Sequence, residues 1–216
     1  MTRDASEVRG VPAGSASSAN TVTSSAKADI YFSADVETDG PIPGEFSMLS
    51  FALVYAGRFD GESFERPAGY STTFEATLRP ISARFEQAAL DVNGLDREEL
   101  AREGRDPASA MTEAAEWIRA HADGGTPVLV AYPLSFDWTW LYWYFVRFAG
   151  GSPFRHSRCF DLKTAIAVRG RRTVTASGHD RLPEALRTTF PHTHRAIDDA
   201  IEQADILARL FAWDGR

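Results

Sequence analysis

Short apolar runs separated by turn residues make up the first part of the chain after residue 28. Residues 30–36 are mostly apolar and rich in β-branched and aromatic side chains, which is typical of a buried strand. Residues 47–59 and 70–78 repeat this pattern, and the Asp60-Gly61 pair between them is a hairpin-turn signal. The three runs therefore predict an antiparallel meander of three strands.

Beyond residue 85, apolar positions recur mainly at helical spacing, interrupted by two short strand-like runs. Asp96, Asp106 and Asp161 are typical helix caps, and Pro107 suits the first position of a helix. The two predicted strands cover 127–131 and 154–160. Helices are predicted over 85–92, from Asp96 onward, and over 106–122, 138–148, 162–168, 182–188 and 196–213. Strands first, and then helices alternating with strands, indicate an α/β fold with a mixed sheet covered by helices.

The composition changes sharply at the N-terminal end of the chain. Residues 1–28 are rich in Ser, Ala, Thr and Gly and lack apolar periodicity, so they predict a disordered tail before a domain over 29–216. No apolar run reaches the roughly 18 residues of a membrane span, and no secretory signal pattern is found. A single cysteine, Cys159, excludes an intramolecular disulfide and a cysteine-rich zinc site. We therefore expect a cytoplasmic protein without a membrane partner.

The charge is unevenly distributed along the chain. The whole chain has a formal net charge of −7, which argues against tight, non-specific nucleic-acid binding by its entire surface. Residues 155–195, however, contain nine Lys or Arg and only three acids. This basic segment could contact a phosphate backbone, and Arg171 and Arg172 in its predicted loop are then candidate substrate contacts. An ordinary solvated surface is the alternative.

Two carboxylates stand near the end of the first predicted strand. Asp35 and Glu37 are separated by one residue, so both should point to the same side of that strand. Like charges side by side on a largely buried strand are unfavourable unless a cation neutralises them. Oxygen ligands suit Mg²⁺ or Mn²⁺, so the pair is a candidate metal site. A polar strand end that faces water is the simpler interpretation.

Further acids and histidines occur near the starts of two predicted helices. Asp137 follows a buried strand, and helix capping is its ordinary role. Asp198 and Asp199 begin the last helix and point to different faces, so at most one of them can join a shared site. His194 can share a target with Asp199 only if it lies on the preceding loop or in the first turn. His192 and His194 resemble a His-x-His zinc pair, but no third soft ligand lies nearby in the sequence.

Taken in order, these residues resemble the three motifs of the DEDDh 3′–5′ exonucleases, a family that includes proofreading exonucleases and ribonuclease T. The matching segments are Asp35-Val36-Glu37-Thr38, Phe136-Asp137 and His194-x-Ala196-x-x-Asp199-Ala200. The resemblance extends from about residue 29 to residue 211 and implies a ribonuclease-H-like fold with a five-stranded mixed sheet flanked by helices. Pro133 departs from the pattern, because many members have Asn at that position.

The resemblance also implies a metal-dependent mechanism. Two divalent ions, Mg²⁺ or Mn²⁺, would be held by Asp35 as the bridging ligand, by Glu37 and Asp199, and by Asp137 partly through water. His194 would be the general base, since a histidine can accept a proton near neutral pH. The expected activity is hydrolysis of nucleic acid, DNA or RNA, from a single-stranded 3′ end, with release of nucleoside 5′-monophosphates.

Two further residues are candidate substrate contacts. Thr38 could contact the terminal 3′ hydroxyl through its backbone. Met48 could wedge beside the terminal base, although core packing is the ordinary role of such a methionine.

Two alternative functions are also compatible with the sequence. A non-catalytic module that binds nucleic acid or a polymerase is one alternative. A phosphodiesterase that acts on small nucleotides is the other. Salt dependence separates polymer from small-molecule substrates.

Overall fold

A computed structural model describes residues 27–216, so residues 1–26 of the predicted tail lie outside the described residues. The domain is built on one sheet whose strands alternate with turns and helices. The strands are β1 (Asp29–Thr38), β2 (Met48–Phe59), β3 (Phe64–Glu65), β4 (Thr73–Thr77), β5 (Thr126–Ala131) and β6 (Cys159–Asp161).

The six strands occupy five positions in the sheet, in the order β3-β2-β1-β5-β6. β3 and β4 share the outer position, because β3 pairs with the end of β2 at Phe59 and β4 pairs with residues 50–54. β1, β2 and β4 are antiparallel neighbours, which confirms the predicted meander. β5 and β6 add to β1 in parallel orientation, and the sheet is therefore mixed, as predicted.

Helices cover both faces of the sheet and create two separate cores. The even-numbered residues of β1, such as Phe32, pack with α3 and α4. Tyr31 packs with α5 and α6 on the opposite face. No helix among residues 27–216 is long and apolar enough to cross a membrane. The helices are α1 (Gln87–Asn93), α2 (Arg97–Glu103), α3 (Pro107–His121), α4 (Leu134–Phe148), α5 (Leu162–Arg169) and α6 (Ala196–Ala212).

Three helices begin at the predicted acidic caps. The Asp96 side chain accepts from the backbone N–H groups of Glu98 and Glu99 at the start of α2. Asp106 accepts from Ser109 N at the start of α3, and Asp161 accepts from a backbone N–H in the first turn of α5. Each carboxylate thus satisfies backbone donors that have no partner within the helix.

The start of α4 differs from the prediction. The predicted helix began after Asp137, with this acid as its cap, but α4 begins at Leu134 and Pro133 occupies the cap position. The helix thus begins four residues before Trp138, where the sequence predicted its start. Asp137 therefore lies inside the first turn of α4, with its side chain turned toward the sheet.

Two other predicted elements were wrong in extent. The helix predicted over 182–188 is replaced by 3-10 turns at 179–181 and 184–186. Pro183 explains the break, because the residue before a proline is pushed to extended geometry, and Leu182 has ψ 130°. The strand predicted over 154–160 is reduced to β6, and Cys159 is exposed on it as a free thiol.

Candidate active site

Three carboxylates converge where the carboxyl end of β1 meets the first turns of α6. Odd-numbered residues of β1 face α6, because Tyr31 packs in that core whereas Phe32 packs in the opposite one. Asp35 and Glu37 share this parity, and α6 places Asp199 opposite them. One carboxylate oxygen of each residue lies within 4.8 Å of the other two. The predicted co-facial arrangement of Asp35 and Glu37 is thus found, together with the predicted third acid.

Asp137 reaches the same strand from α4. The parallel pairing of β1 with β5 ends at Ser33 and Val130, so β1 continues beyond the end of β5. In this stretch the Val36 N–H donates to Asp137 Oδ1 at 3.2 Å. Burial raises the pKa of Asp137 to about 7, while the backbone N–H groups of Val36 and of Asp137 itself oppose the rise. Asp137 is 5 % exposed, so its carboxylate is largely removed from water.

The site carries an excess of negative charge. Burial, together with Asp137, Glu37 and Asp199, raises the pKa of Asp35 well above its usual range. Burial and the carboxylates of Asp199 and Asp137 raise the pKa of Glu37 to about 8. Within residues 27–216, no lysine or arginine forms a salt bridge with Asp35, Glu37 or Asp137. Clustered carboxylate oxygens that lack a cationic partner fit a hard divalent ion.

His194 lies on the loop immediately before α6, as the spacing requires. Its backbone has φ 57°, a left-handed conformation that is uncommon for residues other than glycine. The backbone N–H groups of Thr193 and His194 donate to Asp199 Oδ1 and Oδ2 at 2.8 and 3.1 Å. Asp198 instead accepts from Thr193 Oγ1 at 2.8 Å, outside the carboxylate group. The loop is therefore fastened to the same aspartate that faces β1.

Gln203 is a site residue that the sequence reasoning missed. Its Nε2 donates to Asp35 Oδ1 at 3.1 Å, and this hydrogen bond opposes the rise in the Asp35 pKa. Its Oε1 is buried without a hydrogen-bond partner among the described residues. The signal was available, because Gln203 follows Asp199 by one helical turn and must lie on the same face of α6.

His179 and Glu202 were also missed. His179 Nε2 lies 2.9 Å from Glu202 Oε1, and His192 Nδ1 lies 3.0 Å from Glu202 Oε2. His192 Nδ1 is also 3.3 Å from Asp199 Oδ1, so this cluster borders the carboxylate site. Nothing local in the sequence joins His179 to α6, since the 16 residues over 180–195, in loops and 3-10 turns, separate them.

The four predicted substrate contacts lie in different environments. Thr38 ends β1, where its carbonyl oxygen accepts from Asn93 Nδ2 at 3.0 Å. Met48 is fully buried in the core, and its backbone N–H donates to Tyr144 Oη at 2.7 Å. This burial favours core packing for the Met48 side chain, and the wedge role stays a prediction. Arg171 and Arg172 follow α5, and Arg172 Nη1 donates to Arg181 O at 2.9 Å.

An open cleft of about 430 Å³ adjoins the carboxylate site. Its lining includes Glu37 and His194, together with Asn93 at the end of α1 and Leu95 just after it. Arg195 contributes an exposed guanidinium group at the same cleft. The cleft thus reaches the carboxylate site at Glu37.

Comparison with curated proteins gives one sequence relative. No family model matches the chain. The 3′–5′ DNA exonuclease Cap18 of Escherichia coli is 34% identical over 179 residues, which are 82% of this chain and 89% of that protein.

Solved structures share the fold at low sequence identity. The nuclease domain of 3′hExo, described as a DEDDh family member bound to rAMP, has a TM-score of 0.64 at 12% identity and covers 88% of this chain and 94% of its own. Exonuclease I of E. coli in complex with a dT13 oligonucleotide has a TM-score of 0.56 at 15% identity and covers 85% of this chain. The chain spans 40% of the length of that exonuclease.

Proposed function

The chain belongs to the DEDDh 3′–5′ exonuclease family and is a hydrolytic exonuclease, and from this premise we propose its substrate, ligands and catalytic residues. The proposed reaction is removal of nucleoside 5′-monophosphates from the 3′ end of single-stranded DNA. The observation that supports it most directly is the meeting of Asp35, Glu37 and Asp199 at one point beside a cleft that reaches solvent.

DNA is the proposed polymer because the relative of 34% identity is named a DNA exonuclease. A single strand is proposed because exonuclease I, which shares the fold, is described in complexes with single-stranded DNA and with dT13. The open cleft that Glu37 and His194 line is proposed to hold the terminal nucleotide. Arg195, at the same cleft, is proposed to contact a phosphate of the strand.

The proposed metal ligands are Asp35, Glu37, Asp137 and Asp199. The donor set fits hard divalent ions, since it consists of carboxylate oxygens whose mutual repulsion is unrelieved by any described lysine or arginine. Two such ions, Mg²⁺ or Mn²⁺, would neutralise charge that develops on the phosphoryl group and lower the pKa of the attacking water. Gln203 is proposed to hold Asp35 in orientation through its Nε2 donor.

His194 is the proposed general base. It lines the cleft, in a loop that two backbone hydrogen bonds fasten to Asp199. The imidazole would take the proton of the attacking water and would then release it to solvent. The carbonyl oxygen of Thr38 accepts a hydrogen bond from Asn93. We propose that the backbone of Thr38 positions the terminal sugar.

Two alternatives remain distinguishable by experiment. A non-catalytic binding module would have no use for a complete set of clustered acids next to an open cleft. A phosphodiesterase for small nucleotides would use the same acids but would not need the basic segment over 155–195. Only the polymer activity should weaken steeply as salt rises, because polymer binding releases many counterions.

The test is one cleavage series on end-labelled oligonucleotides. Single-stranded DNA, single-stranded RNA, duplex DNA and a dinucleotide are each incubated with Mg²⁺, Mn²⁺ or chelator. The proposal expects stepwise shortening of 5′-labelled single-stranded DNA, mononucleotide 5′-phosphates from 3′-labelled DNA, and no cleavage in chelator. Equal or faster cleavage of the dinucleotide at every salt concentration would instead favour the small-nucleotide function.

A further inference from the structure

A second group of potential metal ligands lies beside the carboxylate site. It consists of His179 from a 3-10 turn, His192 from the loop before α6, and Glu202 from the second turn of α6. One donor atom of each residue lies within 4.8 Å of the other two. The two imidazole rings are stacked, with centroids 4.5 Å apart and an angle of 30° between the ring planes. His179 Nε2 and His192 Nδ1 each lie within hydrogen-bond distance of one oxygen of the Glu202 carboxylate.

The chemistry of this group differs from that of the catalytic carboxylates. Two imidazole nitrogens and one carboxylate oxygen form a donor set that zinc prefers, with a water in the fourth position. Four carboxylates, in contrast, suit Mg²⁺ or Mn²⁺. We propose that His179, His192 and Glu202 form a separate transition-metal site that takes Zn²⁺ and fastens the loop over 179–194 to α6.

The observed distances are compatible with such an ion. Ligand atoms at about 2.0–2.2 Å from a tetrahedral zinc lie about 3.2–3.6 Å from one another. One ligand atom of each residue lies within 4.8 Å of the other two. In the ion-free arrangement each histidine instead lies close to a different oxygen of Glu202, at 2.9 Å from Oε1 and 3.0 Å from Oε2. An ion would therefore need the side chains to rearrange locally. His179 and His192 are partly exposed, so the protein around them leaves room for this rearrangement.

The surroundings of Glu202 also favour a cationic ligand. Its side chain is 7 % exposed, and among residues 27–216 only the two histidines form ionic contacts with it. A buried carboxylate requires a positive partner or several hydrogen-bond donors. Zinc would supply the charge and would join three segments that are otherwise connected only through hydrogen bonds. A hydrogen-bonded His–Glu–His cluster without any ion is the alternative state.

This site would act on the position of the catalytic loop. His192 is two residues before the proposed base His194, and its Nδ1 lies 3.3 Å from Asp199 Oδ1. Fixing His192 to Glu202 therefore restrains the loop that donates to Asp199. Zinc binding itself, however, does not depend on the nuclease function, so the site can be tested without any activity measurement.

The test measures zinc retention in the full chain. Protein is stripped with chelator, loaded with Zn²⁺ in the presence of excess Mg²⁺, dialysed, and analysed for metal content and melting temperature. Asp35→Asn is the essential background, since it disables the proposed catalytic metal site and leaves the histidine cluster intact. The proposal expects about one zinc per chain and a higher melting temperature in both wild type and Asp35→Asn.

Two variants and one control decide the outcome. His179→Ala and Glu202→Gln, each in the Asp35→Asn background, should bind zinc at least about 100-fold more weakly, since even loss of an outer-shell partner costs 10–100-fold. His156→Ala changes an exposed histidine outside the cluster and should retain the zinc. If Asp35→Asn retains no zinc, or if His179→Ala and Glu202→Gln both retain it, the site does not exist. Circular dichroism of each variant verifies that it is folded.

Discussion

A hydrogen bond connects the backbone of His194 to the side chain of Asp199. The His194 N–H donates to Asp199 Oδ2 at 3.1 Å, and the left-handed conformation of His194 at φ 57° turns the loop toward α6. A helix alone would place these residues on different faces. The loop conformation thus brings the proposed base to the carboxylate that completes the proposed metal site.

The first prediction concerns Asp35. Asp35→Asn should reduce exonuclease turnover by roughly 10³-fold or more, because a lost metal ligand removes several kcal/mol of charge stabilisation. In chelator at pH 8 the variant should melt at a higher temperature than wild type, since one repulsive buried charge is gone. Turnover by quenched-flow or gel assay and melting by circular dichroism measure the two effects.

Asp198→Asn is the matched control for Asp35→Asn. Asp198 is also acidic and lies on α6, but its carboxylate accepts from Thr193 and does not join the carboxylate group. Its replacement should change turnover by less than about tenfold. Wild-type turnover by Asp35→Asn would refute the assignment of this residue as a metal ligand.

The second prediction is a pH dependence of stability in the metal-free protein. The pKa of Glu37 is raised from 4.5 to about 8 in the folded state. Between these values the unfolded chain has released its proton while the folded protein still holds it, so the stability falls as the pH rises. Above pH 8 the Glu37 contribution should level off. Urea denaturation in chelator at pH 5, 6, 7 and 8 measures the slope.

Glu37→Gln tests the cause of that slope. Glutamine keeps the size of the side chain but cannot ionise, so the fall in stability between pH 5 and 8 should be smaller than in wild type. Added Mg²⁺ should stabilise wild type most strongly at pH 8, where the carboxylates are most often ionised. An unchanged slope in Glu37→Gln would show that other groups cause the pH dependence.

The third prediction concerns the general base. His194→Ala should lower kcat by about 10²- to 10⁴-fold at saturating Mg²⁺, the usual loss for a removed acid–base group. The Mg²⁺ concentration for half-maximal activity should change little, because the four carboxylates remain. Single-turnover rates across a Mg²⁺ series measure both quantities.

His192→Ala is the comparison for His194→Ala. His192 contacts Asp199 and Glu202 but lies two residues from the proposed base, so its loss should cost far less in kcat. A reversed order, with His192→Ala inactive and His194→Ala active, would mean that the assignment of the third motif is shifted by two residues.

The fourth prediction concerns Gln203. Gln203→Ala removes the only side-chain donor recorded on Asp35 within residues 27–216, and the orientation of this carboxylate should loosen. Apparent Mg²⁺ affinity should fall by about 10- to 100-fold, as expected for an outer-shell partner, while kcat at saturating Mg²⁺ falls much less. Gln87→Ala, on exposed α1, is the control and should leave the Mg²⁺ titration unchanged.

The fifth prediction concerns the basic segment. Changing both Arg171 and Arg172 to Ala should weaken binding of long single-stranded DNA at low salt, and the difference from wild type should shrink as salt increases. Cleavage of a saturating dinucleotide should barely change, because neither arginine contacts the site carboxylates. Fluorescence anisotropy across a salt series measures the effect. Equal affinity of the two proteins at low salt would identify the segment as an ordinary solvated surface.

Elements with local signals could be predicted from the order of the residues. The alternation along β1 places Asp35 and Glu37 on one side, and Asp96, Asp106 and Asp161 mark three helix starts, because strand periodicity and capping depend only on near neighbours. The spacing of His194 and Asp199 also required a non-helical His194, which the structure confirms.

Contacts between distant residues, in contrast, became known from the folded chain. The 182–188 segment has helical apolar spacing, but Pro183 and its packing against α6 leave single 3-10 turns. Met48 could equally have faced a substrate or the core, and only the packing of α4 against the sheet buries it. Helix α6 packs across the end of β1, and the loop before α6 packs against it. This packing creates the contacts of Gln203, His179 and Glu202. Contacts between residues that are far apart in the sequence depend on how the helices cover the whole sheet. No local sequence pattern predicts this arrangement.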